Sequence, residues 1–160
     1  MSPVRLLLHP WLTVRVQIAL GILFIAAALP KIVDPPSFAH MIFNYRIVPG
    51  GLVNAAALLL PWVELLAGLG LVLGIWRRSS SILVGLLLLA FLFGIGLNLA
   101  RHNPIICGCF DVHAASWSAE QKFEAMRLDI LRDLGMLLMV AQSLFGTAWA
   151  ERDRLLRRTA

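Results

Sequence analysis

Four stretches of this chain are each about as long as a bilayer's hydrocarbon core is thick, and that feature constrains the fold most. A helix crosses the core in about 20 apolar residues. Residues 13–33, 52–76, 80–100 and 130–149 meet that length, filled almost throughout with Leu, Ile, Val, Ala, Gly and Phe. None of them alternates polar with apolar as a barrel strand does, so each is expected to be an α-helix. The composition agrees. Of the 160 residues, 59% are hydrophobic and 14% charged, against roughly half and a quarter in a soluble domain. The expected architecture is a single all-α domain over residues 1–160, an integral membrane four-helix bundle embedded in a lipid bilayer. No cleavable signal peptide is evident, because Pro30-Lys31 rather than a small-residue site follows the first stretch.

The links differ in character. Asp34-Pro35-Pro36 opens a polar loop that runs to Gly51, since a helix does not continue through such a sequence. Trp76-Arg77-Arg78-Ser79 reads as a tight turn. The longest link, 101–129, holds both cysteines and ends in a short surface helix over 116–127. Ser116 or Ser118 is the expected cap of that helix, with Glu120 in its first turn.

The net charge of +5 does not indicate nucleic acid, because the basic residues flank apolar segments instead of forming a stripe interleaved with aromatics. Their distribution sets the orientation. Eight Lys and Arg fall on the side of the termini (Arg5, Arg15, Arg77, Arg78, Arg152, Arg154, Arg157, Arg158), and six fall on the other (Lys31, Arg46, Arg101, Lys122, Arg127, Arg132). The first group is also denser at the membrane edge. Both termini are therefore expected in the cytoplasm of a bacterial cell, with the multi-pass chain in the inner membrane. The cysteine link then faces the oxidising side. Tyr45 and most of the tryptophans, at 11, 62, 76, 117 and 149, read as interface anchors.

Chemistry concentrates in few residues. Cys107-Gly108-Cys109 is the whole cysteine complement. Two thiols one residue apart can close a small strained ring, eased by Gly108, and a strained disulfide exchanges readily. The same pair suits two other readings: inert buried thiols, or a soft-metal site completed by His102 or His113. Glu64 lies in the middle of the second stretch. A carboxylate at that depth is expected to face the bundle interior with a polar partner. Pro61, one turn earlier, frees the carbonyl of Ala57. Trp62 has two readings, an interface anchor or a ring packed beside Glu64. Lys31, Asn98, Arg132 and Asp133 all fall near the helix ends on the cysteine side. There a cation would favour the thiolate. Alternatively, Lys31 and Arg132 snorkel to headgroups, with Arg132 paired to a carboxylate such as Asp129.

Several motifs together resemble those of the MauE (methylamine utilisation) family, within the wider group of DoxX-like four-helix membrane proteins. They are Leu29-Pro30-Lys31 with Asp34-Pro35, Asn44-Tyr45-Arg46-Ile47-Val48-Pro49, Leu60-Pro61-Trp62-Val63-Glu64 with Gly68, Cys107-Gly108-Cys109-Phe110, and Leu131-Arg132-Asp133. The resemblance runs from about Val14 to Val140. One departure is Asp111, where the family usually has Gly. The resemblance implies a membrane thiol–disulfide oxidoreductase that works with a thioredoxin-like periplasmic protein. Cys107, Cys109, Arg132 and Asp133 would carry the chemistry, and Lys31, Trp62, Glu64 and Asn98 would face a carrier. A quinone is the carrier implied by analogy with other disulfide-forming membrane enzymes. The alternatives are a metal-binding or metal-transport protein using the same cysteines, and a non-catalytic assembly factor.

Overall fold

The computed structural model describes residues 9–103, 105 and 118–159, with side chains through Arg152. Five helices follow in order: α1 (Pro10–Val33), α2 (Pro35–Tyr45), α3 (Gly50–Leu73), α4 (Arg77–Ala100) and α5 (Ala119–Thr159). Three of them, α1, α3 and α4, are long and apolar enough to cross a membrane. The fourth expected stretch, 130–149, lies within α5, whose apolar run is interrupted by Asp133, Gln142 and Ser143.

Local chemistry explains the boundaries. His9 caps α1, its Nδ1 accepting from the Trp11 N–H at 3.3 Å. At the other end Asp34 stops α1 and starts α2. Its carboxylate accepts from the Ser37 backbone N–H at 3.2 Å and from the Ser37 hydroxyl at 2.6 Å. This corrects the expectation of an irregular 34–51 link. Asp34-Pro35-Pro36 ends one helix, but an Asp cap followed by proline in the first turn is also a start signal. α3 and α4 are joined through Gly74 and Trp76, both left-handed at φ 75° and 51°.

The surface helix expected over 116–127 is instead the first part of α5. Ser118 and Gln121 form a reciprocal capping box, with Gln121 N–H donating to Ser118 Oγ (3.3 Å) and Ser118 N–H to Gln121 Oε1 (2.9 Å). No Gly or Pro follows until Gly135, so nothing separates the surface turns from the apolar ones. The 41 residues of α5 rise roughly 60 Å at about 1.5 Å each, about twice the hydrocarbon thickness.

The four long helices form a closed ring, α1 against α3 and α5, and α4 against α3 and α5, while α2 rests mainly on α3. The α1–α3 contact is the most extensive, and glycine makes it so. A Cβ at Gly21 would sit 2.7 Å from the Gly68 carbonyl oxygen, and one at Gly68 would sit 2.8 Å from that of Gly21. Two backbones this close admit no side chain, the small-residue packing expected where lipid supplies no hydrophobic drive between helices. Gly21→Leu should therefore destabilise by about 1–3 kcal/mol through overpacking. Gly96→Ala, at a site with nothing within 4 Å of the added Cβ, should be close to neutral. Thermal unfolding of the two variants in detergent checks the difference.

Leu20, Phe24, Ala67, Leu71, Val84, Leu88, Met136 and Val140 make the central apolar layer. Outward-facing positions are equally apolar, with Leu66, Phe93 and Leu138 all well exposed. The buried set, by contrast, includes Lys31, Glu64, Asn98, Asp133, Gln17, Ser81 and Ser143. Apolar outside with polar groups gathered inside is the arrangement of an all-α membrane protein.

Candidate functional site

Lys31 and Glu64 form a buried ion pair, the amine lying 2.7 Å from both carboxylate oxygens and each side chain only 1% exposed. Their meeting follows from helix geometry. Gly21 faces Gly68 across antiparallel helices, so Lys31 is roughly level with residue 58, and Glu64 lies about 9 Å deeper at 1.5 Å per residue. Side chains tilt toward the N-terminus of their own helix. Lys31 thus leans inward along α1, while Glu64 leans back along α3 toward the α2 end, and the long lysine stem spans the remainder. The Phe38 and Phe91 rings lie 5.1 and 5.0 Å from the ammonium nitrogen, close enough for cation–π attraction in a dry setting.

Asp133 of α5 completes the group. It is 1% exposed, and among the described residues no group lies within hydrogen-bond geometry of either carboxylate oxygen. Its nearest cation is Arg132, with Nη2 at 3.7 Å, while the same nitrogen lies 2.8 Å from Asp129. Asp133, Lys31 and Glu64 line one cavity of about 20 Å³, walled by Phe24, Leu88, Phe91 and Met136. A water needs about 10–15 Å³, so the space suits a single water. Three ionisable groups from three helices around one water-sized space can hold and pass a proton.

Of the other expected site residues, Asn98 is buried but stands apart from this cavity. Its amide donates to the carbonyls of Tyr45 (3.1 Å) and Gly94 (3.0 Å) and its oxygen accepts from Asn103 (3.0 Å). Trp62 is 53% exposed, because two residues along a helix turn it about 200° away from Glu64; it lies on the outer face. Lys31 does not snorkel, whereas Arg132 pairs with Asp129 as one reading had it. Cys107 and Cys109 lie outside the described residues, as do Asp111 and His113. His102 is exposed at the end of α4, and the described residues contain no cluster of three or more metal-ligating side chains. Tyr45, outside the apolar spans, has its pKa raised by burial and then by the carboxylates of Asp129 and Asp133.

Two features escaped sequence reasoning. The pairing of Lys31 with Glu64 was signalled only by opposite charges on consecutive apolar stretches. A second polar group, near the other end of the bundle, joins Gln17 to Ser143 (2.8 Å) and Ser143 to Ser81 (2.8 Å). Its signal was the presence of Gln17, Gln142 and Ser143 inside apolar runs. The central apolar layer lies between the two polar levels.

The whole arrangement falls within a family match. Residues 9–147 match the profile described as "Methylamine utilisation protein MauE". Among curated proteins, the "Methylamine utilization protein MauE" of Methylorubrum extorquens is 34% identical over 145 residues, covering 90% of this chain and 72% of the relative. The protein of that name from Methylophilus methylotrophus is 32% identical over 133 residues, covering 82% and 68%. That of Paracoccus denitrificans is 33% identical over 105 residues, covering 65% and 56%. No solved structure matches this chain. With a match running from before α1 to residue 147 of α5 and relatives at this identity, the chain belongs to the MauE family.

Proposed function

We propose that this protein is a membrane thiol–disulfide exchange protein serving methylamine utilisation, the process named for its relatives. Its Cys107–Cys109 pair trades a disulfide with a soluble thioredoxin-like protein. The supporting observation is the Lys31–Glu64–Asp133 cluster: three ionisable side chains, each about 1% exposed, kept in an apolar interior around one cavity. Such groups are costly at that depth and mark functional sites. Asp133 sits on α5, the helix that follows the cysteine link, about 21 Å from its first residue at 1.5 Å per residue. The Lys/Arg distribution favours both termini in the cytoplasm of a bacterial inner membrane, which puts the link on the oxidising side.

The exchange balances without a further carrier. A partner thiolate attacks one sulfur of the Cys107–Cys109 disulfide, and the released cysteine thiolate takes up a proton. The partner's second thiolate then resolves the mixed disulfide and frees the other cysteine. Two electrons and two protons pass from the partner dithiol to this chain, and the reverse steps return them. Asp133 and Glu64 serve as the proton reservoir, and Lys31 keeps Glu64 from drifting toward lipid.

The test is mass spectrometry of protein alkylated before and after reduction, then incubated with a reduced thioredoxin-like protein. The expected result is a two-hydrogen mass difference that cycles with the partner. Stoichiometric bound metal with permanently reduced thiols would instead select the metal reading. Asp133→Asn, an isosteric change, should slow exchange about 10²-fold, the scale of a lost proton-transfer group. The mixed disulfide should still be trapped. An unchanged rate would remove Asp133 from the proposed chemistry.

A further inference from the structure

α2 and α4 end side by side, and both end in a strained way. Arg46, just past α2, is left-handed at φ 52°, and His102, just past α4, at φ 51°. Neither is the glycine or asparagine that usually accepts that conformation. Tertiary contacts hold both turns. The Tyr45 ring lies over Gly94, where an added Cβ would come within 2.7 Å of it, and packs on the Ile95, Ile105 and Met126 cluster. Asn98 holds the Tyr45 carbonyl at 3.1 Å, and Asn103 reaches both Asn98 (3.0 Å) and the Asn44 carbonyl (3.4 Å). Those amides also occupy carbonyl oxygens that would otherwise repel an anion.

The result is a cleft of about 390 Å³ lined by Arg46, Asn98, Arg101, His102 and Asn103. That is within the roughly 300–1,000 Å³ range of small-molecule sites. Two guanidinium groups, an imidazole and two amides line it, and among the described residues no carboxylate does. Arg78, Arg127 and Arg132 each pair with a carboxylate. Among the described residues, Arg46 and Arg101 have no such partner. Two like charges converging on one cleft repel each other, and a bound anion reverses the sign of that interaction.

We infer that this cleft is a binding site for a phosphate-bearing anion, gripped by Arg46 and Arg101, with the Asn98–Asn103 pair holding together the two helix ends that carry them. The fixed forks of two guanidinium groups match phosphate oxygens in bidentate geometry. The cleft lies where the apolar run of α4 ends at Ala100, the level of a phospholipid headgroup. The inference stands on observations separate from the thiol chemistry and does not depend on it.

Native mass spectrometry of the detergent-purified protein tests it, with phosphatidylglycerol, phosphatidylcholine and inorganic phosphate as probes. Wild-type protein should retain phosphatidylglycerol in preference to phosphatidylcholine. Arg46→Gln/Arg101→Gln should lower that retention at least tenfold. Arg46→Lys/Arg101→Lys should keep most of it, and Arg127→Gln, away from the cleft, should leave it unchanged. Competition by millimolar inorganic phosphate would identify free phosphate as the anion, and its failure to compete would identify the lipid headgroup; either upholds the site. Equal retention by wild type and the double glutamine variant, at equal helix content, overturns it. If the double variant does not fold, Arg101→Gln alone should lose about threefold, and no loss there overturns the site equally.

Discussion

Lys31→Met should destabilise the bundle by about 3–5 kcal/mol, the usual cost of removing one partner from a buried ion pair. The ammonium lies 2.7 Å from both oxygens of Glu64, and both side chains are 1% exposed. Taking it away leaves a carboxylate in the apolar interior beside the buried carboxylate of Asp133. Glu64 must then take up a proton or draw water into a cavity of about 20 Å³, and both outcomes cost stability. Lys31→Met/Glu64→Leu removes both charges and keeps the volume, so it should recover most of the loss, because a well-packed apolar replacement for a buried pair is often neutral or better. Denaturant unfolding of the two single variants and the double variant closes the cycle and isolates the coupling. A double variant as unstable as Lys31→Met would show that packing around the lysine stem, and not the charge pair, holds these helices together.

Replacing either cysteine has the larger consequence for activity. Cys107→Ser or Cys109→Ser should reduce thiol–disulfide exchange to background, since exchange needs one sulfur to be attacked and a second to leave or resolve. The two variants should differ in one respect. The variant that keeps the cysteine facing the partner should accumulate a mixed disulfide, visible on a non-reducing gel and abolished by dithiothreitol, while the other should not. Stability should barely change, because a bridge across one residue closes too small a loop to constrain the unfolded chain much. Full exchange activity in both serine variants would leave this protein without a thiol mechanism. In intact cells, the reduced cysteines should react with a membrane-impermeant thiol reagent. Reaction only after the membrane is broken would reverse the proposed orientation.

Much of the fold was legible because its determinants are local. A run of about 20 apolar residues has no stable alternative to a helix in lipid, so α1, α3 and α4 begin and end within a few residues of 13–33, 52–76 and 80–100. The interior position of Glu64 was legible for the same reason, since a mid-span carboxylate has nowhere else to go. Two local signals pointed two ways. Asp34-Pro35-Pro36 is both a stop and a start, and only the packing of the following residues on α3, with Phe38 and Met41 buried, makes 35–45 a helix. The junction near residue 129 carries no breaker, yet a change from polar to apolar composition there resembled a boundary.

What the residues alone determined, then, is that the chain crosses a bilayer as helices and carries a handful of charges too costly to face lipid. Which charge meets which was decided by the tertiary structure. The Gly21–Gly68 contact sets how closely α1 and α3 approach and how they are rotated, and that register turns Lys31 toward Glu64 and Trp62 away. The same holds for Asn98, which lies beyond the ionised cluster along α4 and tethers the end of α2 instead. Apolar length is read along one helix, whereas a pairing depends on the rotation of two helices about their axes. In a span apolar on every side, the sequence pattern hardly constrains that rotation, and close packing at a few small residues selects it.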